Sequence, residues 1–155
     1  MFTYPRQIKY PTKTQIEIWI LNRNQMTGRE IAAKRHVTPG MVSKTLSEAN
    51  NRIEGLLQNV AQMNKITLEI ISPQIGYARG ISHMFDVTAY ITFSPKNGVQ
   101  VWYEHKGSCV QCEKYSFCRD IILQEFKERN IRIHNPSLRP TDLIEKLITR
   151  LEDMC

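Results

Sequence analysis

Val42, Leu46, Ala49, Ile53, Leu56, Val60 and Met63 fall alternately four and three positions apart, and no proline interrupts them. That interval keeps one side of a helix apolar, so the pattern predicts a single helix from about Pro39 to Met63. Gly55 weakens it by about 1 kcal/mol relative to alanine. A four-three repeat is also the signature of a coiled-coil seam, which makes Ile53, Leu56, Val60 and Met63 candidates for pairing with a second copy. The other reading is that Ile53 to Met63 packs on the chain's own second half. Ile16, Trp19 and Ile20 recur at helical spacing and predict an earlier helix from about Thr12.

From Lys65 the period changes to two. Ile66, Leu68 and Ile70 alternate with Thr67 and Glu69, and Val87, Ala89, Ile91 and Phe93 alternate with polar or aromatic neighbours. Pro95-Lys96-Asn97-Gly98 reads as a turn into a returning strand with Val99, Val101 and Tyr103. These runs predict an antiparallel hairpin, a third strand at Ile66 to Ile71 beside it, and a glycine-containing loop over Pro73 to His83. Phe117 to Arg129 reads as an amphipathic helix and Asn130 to His134 as a short extended piece. Pro140 to Met154 reads as a last helix, with Thr141 near its cap and Leu143, Leu147 and Leu151 on one face. The expected class is α+β: helices with a long dimerisation helix over 1–64, then a small antiparallel sheet, a cysteine-rich loop and terminal helices over 65–155.

Between the first two predicted helices, Thr27 is followed three residues on by Glu30, the spacing of a capping box. Ile31 and Ala32 give an apolar face on which a second helix can close, and Val37 fills the turn. Thr38 caps the next helix, with Pro39 at its first position. Val42 and Leu46 face inward, which leaves Gly40, Met41, Ser43, Lys44 and Thr45 outward at the end where a recognition helix meets base edges and phosphates. Arg29, Arg35 and Thr38 complete the candidate DNA-facing set. The alternative is an ordinary helical hairpin within a core. The run Arg29-Glu30-Ile31-Ala32, then Val37-Thr38, Val42 and Leu46, resembles the helix-turn-helix of archaeal Tfx-type regulators. It is also similar to LuxR-type and sigma-factor region-four modules. The resemblance covers about residues 12 to 64 and implies transcriptional regulation through double-stranded DNA. Pro39-Gly40 departs from a reading surface of side chains, so specificity would fall to Met41, Ser43, Lys44 and Thr45.

Charge points the same way. Residues 1–65 carry ten Lys or Arg and four Asp or Glu, whereas residues 66–155 carry eleven of each, so the first segment holds the entire formal charge of +6. A basic face concentrates near phosphates and binds them in a salt-dependent way. Phe2, Tyr4, Pro5, Arg6, Lys9, Tyr10 and Pro11 suggest an extended arm, either against a DNA backbone or against a partner. The 155 residues, 41% hydrophobic, suffice for one domain or two small ones. No signal-peptide core or membrane span is visible, which implies a cytoplasmic protein whose four cysteines are ligands or redox groups rather than disulfides.

Cys109, Cys112 and Cys118 fall within ten residues, and Gly107 lets the chain bend on entry. Such a loop can aim three sulfurs at one metal; the alternative is a set of reduced or redox-exchanging thiols. Zinc sites commonly use two close couples of ligands, and only one is visible, so a four-iron iron–sulfur cluster and zinc both stay open. The two-then-five spacing is similar to the last part of the cluster loop in endonuclease III-type glycosylases, whose first cysteine and catalytic element are absent here. A fourth ligand could be His105, Cys155 or a group from a second subunit. A cluster lost on oxidation would make the second half a redox sensor, and a structural zinc would make it a brace. The Pro73 to His83 loop, with Gly76, Arg79 and Gly80, could cradle an anionic effector. No Ser/His/Asp set, phosphate loop or paired-carboxylate arrangement emerges around Asp86, His83, His105 and His134, which argues against an enzyme. An accessory factor of a recombination or transcription complex is the remaining class.

Overall fold

The computed structural model describes residues 8–105 and 107–155. Five helices, α1 (Lys13–Arg23), α2 (Gly28–Arg35), α3 (Pro39–Met63), α4 (Tyr115–Glu128) and α5 (Pro140–Asp153), surround four strands, β1 (Ile66–Ser72), β2 (Tyr77–Ser82), β3 (Val87–Ser94) and β4 (Gly98–Tyr103). The strands form one antiparallel meander in the order β1-β2-β3-β4. The class is α+β, in three layers. Alternation along the strands sends Ala78, Ala89, Ile91 and Phe93 to the side of α1 and α3, and Tyr77, Tyr90 and Trp102 to the side of α4 and α5.

The long helix forms as its pattern predicts, but its apolar face is turned inward. Ala49, Ile53, Leu57 and Ala61 are buried against the sheet, and Ile53 is 0% exposed. The intermolecular seam is therefore corrected. Ile53 belongs to the chain's own core, Leu56 and Val60 lie half-buried at the edge of that core, and only Met63, 73% exposed, is free to meet anything else. Because α3 and Trp19 of α1 share this core with Phe93 of β3, the passage from Asn64 to Lys65 changes secondary structure without separating two cores.

Two further corrections concern the sheet and the chain after α4. Tyr77–Ser82 is a strand lying between β1 and β3, so Ile66 to Ile71 pairs with β2 rather than with the predicted hairpin. Arg79 on this strand meets Glu152 at 2.6 Å and Glu69 at 3.5 Å, and its charge is thereby committed. Gly76 turns at φ +66°, where a Cβ would come within 2.6 Å of the Phe93 carbonyl oxygen. No anion cradle results. Asn130 to His134 contains no strand. The predicted arm at Phe2, Tyr4, Pro5 and Arg6 lies outside the described residues. Pro11 is buried, and the Tyr10 ring packs edge-on to Phe93 at 5.9 Å.

Two arginines tie the layers together. Arg129, at the end of α4, is buried with Glu125 at 3.1 Å and donates to the backbone carbonyls of Ile75, Gly76 and Phe93. Arg23, at the end of α1, lies over the Trp19 ring at 4.6 Å and donates to the Glu128 carbonyl at 2.6 Å. A cation suits that position at a helix C-terminus. Burial pulls the Arg23 guanidinium down to about 10, and the neighbouring Arg129 charge adds to the shift.

Candidate nucleic-acid interface and cysteine-lined cavity

At the amino-terminal end, Ile18, Ile31, Ala32 and Val42 form a separate small core with Leu21, Met26, Val37 and Leu46 around it. It holds α2 against the first turns of α3. Thr27 and Glu30 make the reciprocal capping box, with the Glu30 carboxylate accepting from the Thr27 amide at 2.7 Å. These bonds hold the Glu30 carboxyl below its ordinary range. The cap is therefore complete above the usual carboxylate pKa and weakens as pH falls through the lowered value.

The α2 helix ends on His36 in the left-handed region, at φ 55° and ψ 43°. A side chain there is strained, so His36→Gly is expected to raise stability by about 0.5–1 kcal/mol in urea denaturation. Thr38 then accepts from the Met41 amide at 3.2 Å and starts α3.

Beyond that cap, Gly40, Met41, Ser43 and Lys44 are exposed and Thr45 is half-buried. Met41 is 55% exposed. Arg29 and Lys34 are exposed on α2, and with Lys44 they make no ion pair among the described residues. Arg35 is bound to Glu17 of α1 at 2.7 Å. It braces α2 against α1.

At the other end, the cysteine loop runs from β4 to α4. The Cys112 amide donates to the Cys109 carbonyl at 3.2 Å, which closes a tight turn. Cys109 is buried with its Sγ 3.6 Å from Thr141 Oγ1, Cys118 is half-buried on the first turn of α4, and Cys112 is exposed. Burial pushes the Cys118 thiol up, and Cys112 and Cys109 push it further. All three cysteines line one cavity. His105 joins them at the mouth of a cavity of about 880 Å³, its Nδ1 3.1 Å from the Tyr103 carbonyl oxygen.

Cys155 does not belong to this group. It lies past the far end of α5, which rises about 20 Å from Thr141, and its Sγ sits 3.3 Å from both Ser72 Oγ and the Leu151 carbonyl. Four of the five candidate ligands thus line one cavity and the fifth does not. Among the described residues, no three His, Cys, Asp or Glu side chains are already arranged to hold one metal ion.

The cavity itself escaped the sequence reading. Its walls come from β3, β4, α4 and α5, and Tyr90 and Trp102 supply its sheet side. The Trp102 indole donates to Thr92 Oγ1 at 3.0 Å, which fixes the ring. Burial pushes the Tyr90 phenol up, and the carboxylates of Glu104, Glu152 and Glu145 act in the same direction. Alternation of Tyr90 and Trp102 with Ile91 and Val101 was the available signal.

No family model, curated protein or solved structure matches this chain. Among the described residues, no helix is long and apolar enough to cross a membrane.

Proposed function

We propose that this chain is a sequence-specific regulator that reads double-stranded DNA through a helix-turn-helix formed by α2 and α3. The observation that carries the reading is the exposed first turn and a half of α3. It is held from behind by its own small core and flanked by Arg29, Lys34 and Lys44, cations with no ion pair among the described residues. Pro39 has no N–H and Thr38 takes the Met41 amide, so contact falls to the side chains at Met41, Ser43 and Lys44, which reach base edges and phosphates in the major groove. Arg35 is paired with Glu17 but keeps 36% of its side chain exposed, within reach of a phosphate. A two-fold-symmetric target, with half-sites about one helical turn apart, calls for two copies joined by a surface other than Ile53.

Binding to random and selected duplexes across a salt series tests this. Lys44→Ala is expected either to lower the salt slope by about 1 or to relax sequence preference by about 1–3 kcal/mol. Lys127→Ala, an exposed position on α4, should change neither. Equal affinity and slope for wild type and Lys44→Ala would reject the assignment.

His105, Cys109, Cys112 and Cys118 would supply zinc with three sulfurs and one nitrogen once the loop closed around it, and three thiolates with one further ligand are also the donors an iron–sulfur cluster takes. A bound metal would offset the mutual repulsion of the three sulfurs and fasten β4 to α4. Anaerobic purification, a visible spectrum and elemental analysis separate the two metals. Equal DNA affinity of anaerobic and air-exposed protein would leave the centre a brace rather than a redox sensor.

A further inference from the structure

The walls of the 880 Å³ cavity are built for more than the thiols at its mouth. Tyr90 and Trp102 rise from the sheet, Ile121 and Ile122 from α4, and Ile144 and Ile148 from α5. Its volume falls in the range of sites that enclose drug-sized organic ligands, and its mostly apolar, aromatic walls match theirs. The charges fix the sign of the ligand. Glu104, Glu145 and Glu152 line the cavity, and Lys114 is the one cation among the described lining residues. Arg79 and the Tyr77 hydroxyl hold Glu152, whereas Glu104 and Glu145 are exposed and have no ion-pair partner among the described residues. Electron-rich ring faces add to this negative potential.

We propose that the cavity binds a lipophilic organic cation, an aromatic ammonium or phosphonium ion, with its rings against Trp102 and Tyr90 and its charge toward Glu145 and Glu104. A metal held by the sulfurs would leave the isoleucine walls uncovered, and an organic anion would meet like charge. This site is independent of the DNA-reading surface and survives the failure of that reading.

Calorimetric titration of the full chain with tetraphenylphosphonium and tetraphenylborate, ions of the same shape and opposite charge, tests it. The cation is expected to bind one-to-one and at least about ten-fold tighter than the anion. Glu145→Gln combined with Glu104→Gln should remove most of that preference while leaving the circular dichroism unchanged. Ile144→Trp, which fills the cavity, should abolish binding, and the carboxylate variants carry the test alone should that one misfold. Equal binding of both ions, binding of neither, or a preference that persists in the double glutamine variant would overturn the proposal.

Discussion

Ile53→Asp is expected to unfold the protein. Ile53 has no exposed surface and packs with Leu57 and Ala61 between α3 and the sheet. A carboxylate there has no partner and no water, so it costs more than about 4 kcal/mol, comparable to the whole stability of many domains. Met63→Asp, ten residues further along the same helix and 73% exposed, should stay within about 0.5 kcal/mol of wild type. Urea denaturation followed by circular dichroism measures both. A folded Ile53→Asp protein of half the native mass by light scattering would restore the intermolecular seam.

Arg129→Met carries the second large effect. The guanidinium, 1% exposed, neutralises Glu125, which is 0% exposed. It also satisfies carbonyls at Ile75, Gly76 and Phe93, which belong to the β1–β2 turn and the end of β3. Removing one partner of such a pair leaves a charge without solvent or counterion, a loss of about 3–5 kcal/mol. Adding Glu125→Leu should recover part of it, because the stranded carboxylate disappears while the carbonyls lose their guanidinium donor, that of Gly76 keeping only the Phe93 amide at 2.8 Å. A fall in the denaturation midpoint at unchanged slope is the expected signature. A loss below about 1 kcal/mol would show that the pair is dispensable.

Local chemistry was legible in the sequence wherever it was decided locally. Thr27 with Glu30, and Thr38 with Pro39, mark helix starts through bonds reaching three residues, and both form where the spacing places them. Partnership was harder, because periodicity says which residues share a face and not what covers it. The buried row of α3 is Ala49, Ile53, Leu57 and Ala61, four apart, and Leu57 and Ala61 were the clue that the contact drifts around the helix. Such a drift suits packing across a twisted sheet better than a straight seam.

Strand β2 was hidden for another reason. Gly80 looks like a loop residue, yet it lies opposite Leu68 beside the irregularity at Glu69, where any Cβ would fall 2.2 Å from the Thr67 carbonyl oxygen. Close approach, not a turn, requires glycine there. The sulfur-bearing stretch was visible as Cys109, Cys112 and Cys118. Its cavity was not, since Tyr90, Trp102, Ile144 and Ile148 meet only after the strands and both terminal helices assemble.

The bond from Arg23 to the last carbonyl of α4, together with Trp19 beneath Phe93, bears on how the molecule can be dissected. Severing the polypeptide after Asn64 would strip the cover from Trp19, Ile53 and Leu57 and leave Arg23 without its acceptor. A short recombinant piece bearing only the first three helices would then be sticky and poorly ordered. Biochemistry on either end of this polypeptide belongs to the uncut chain.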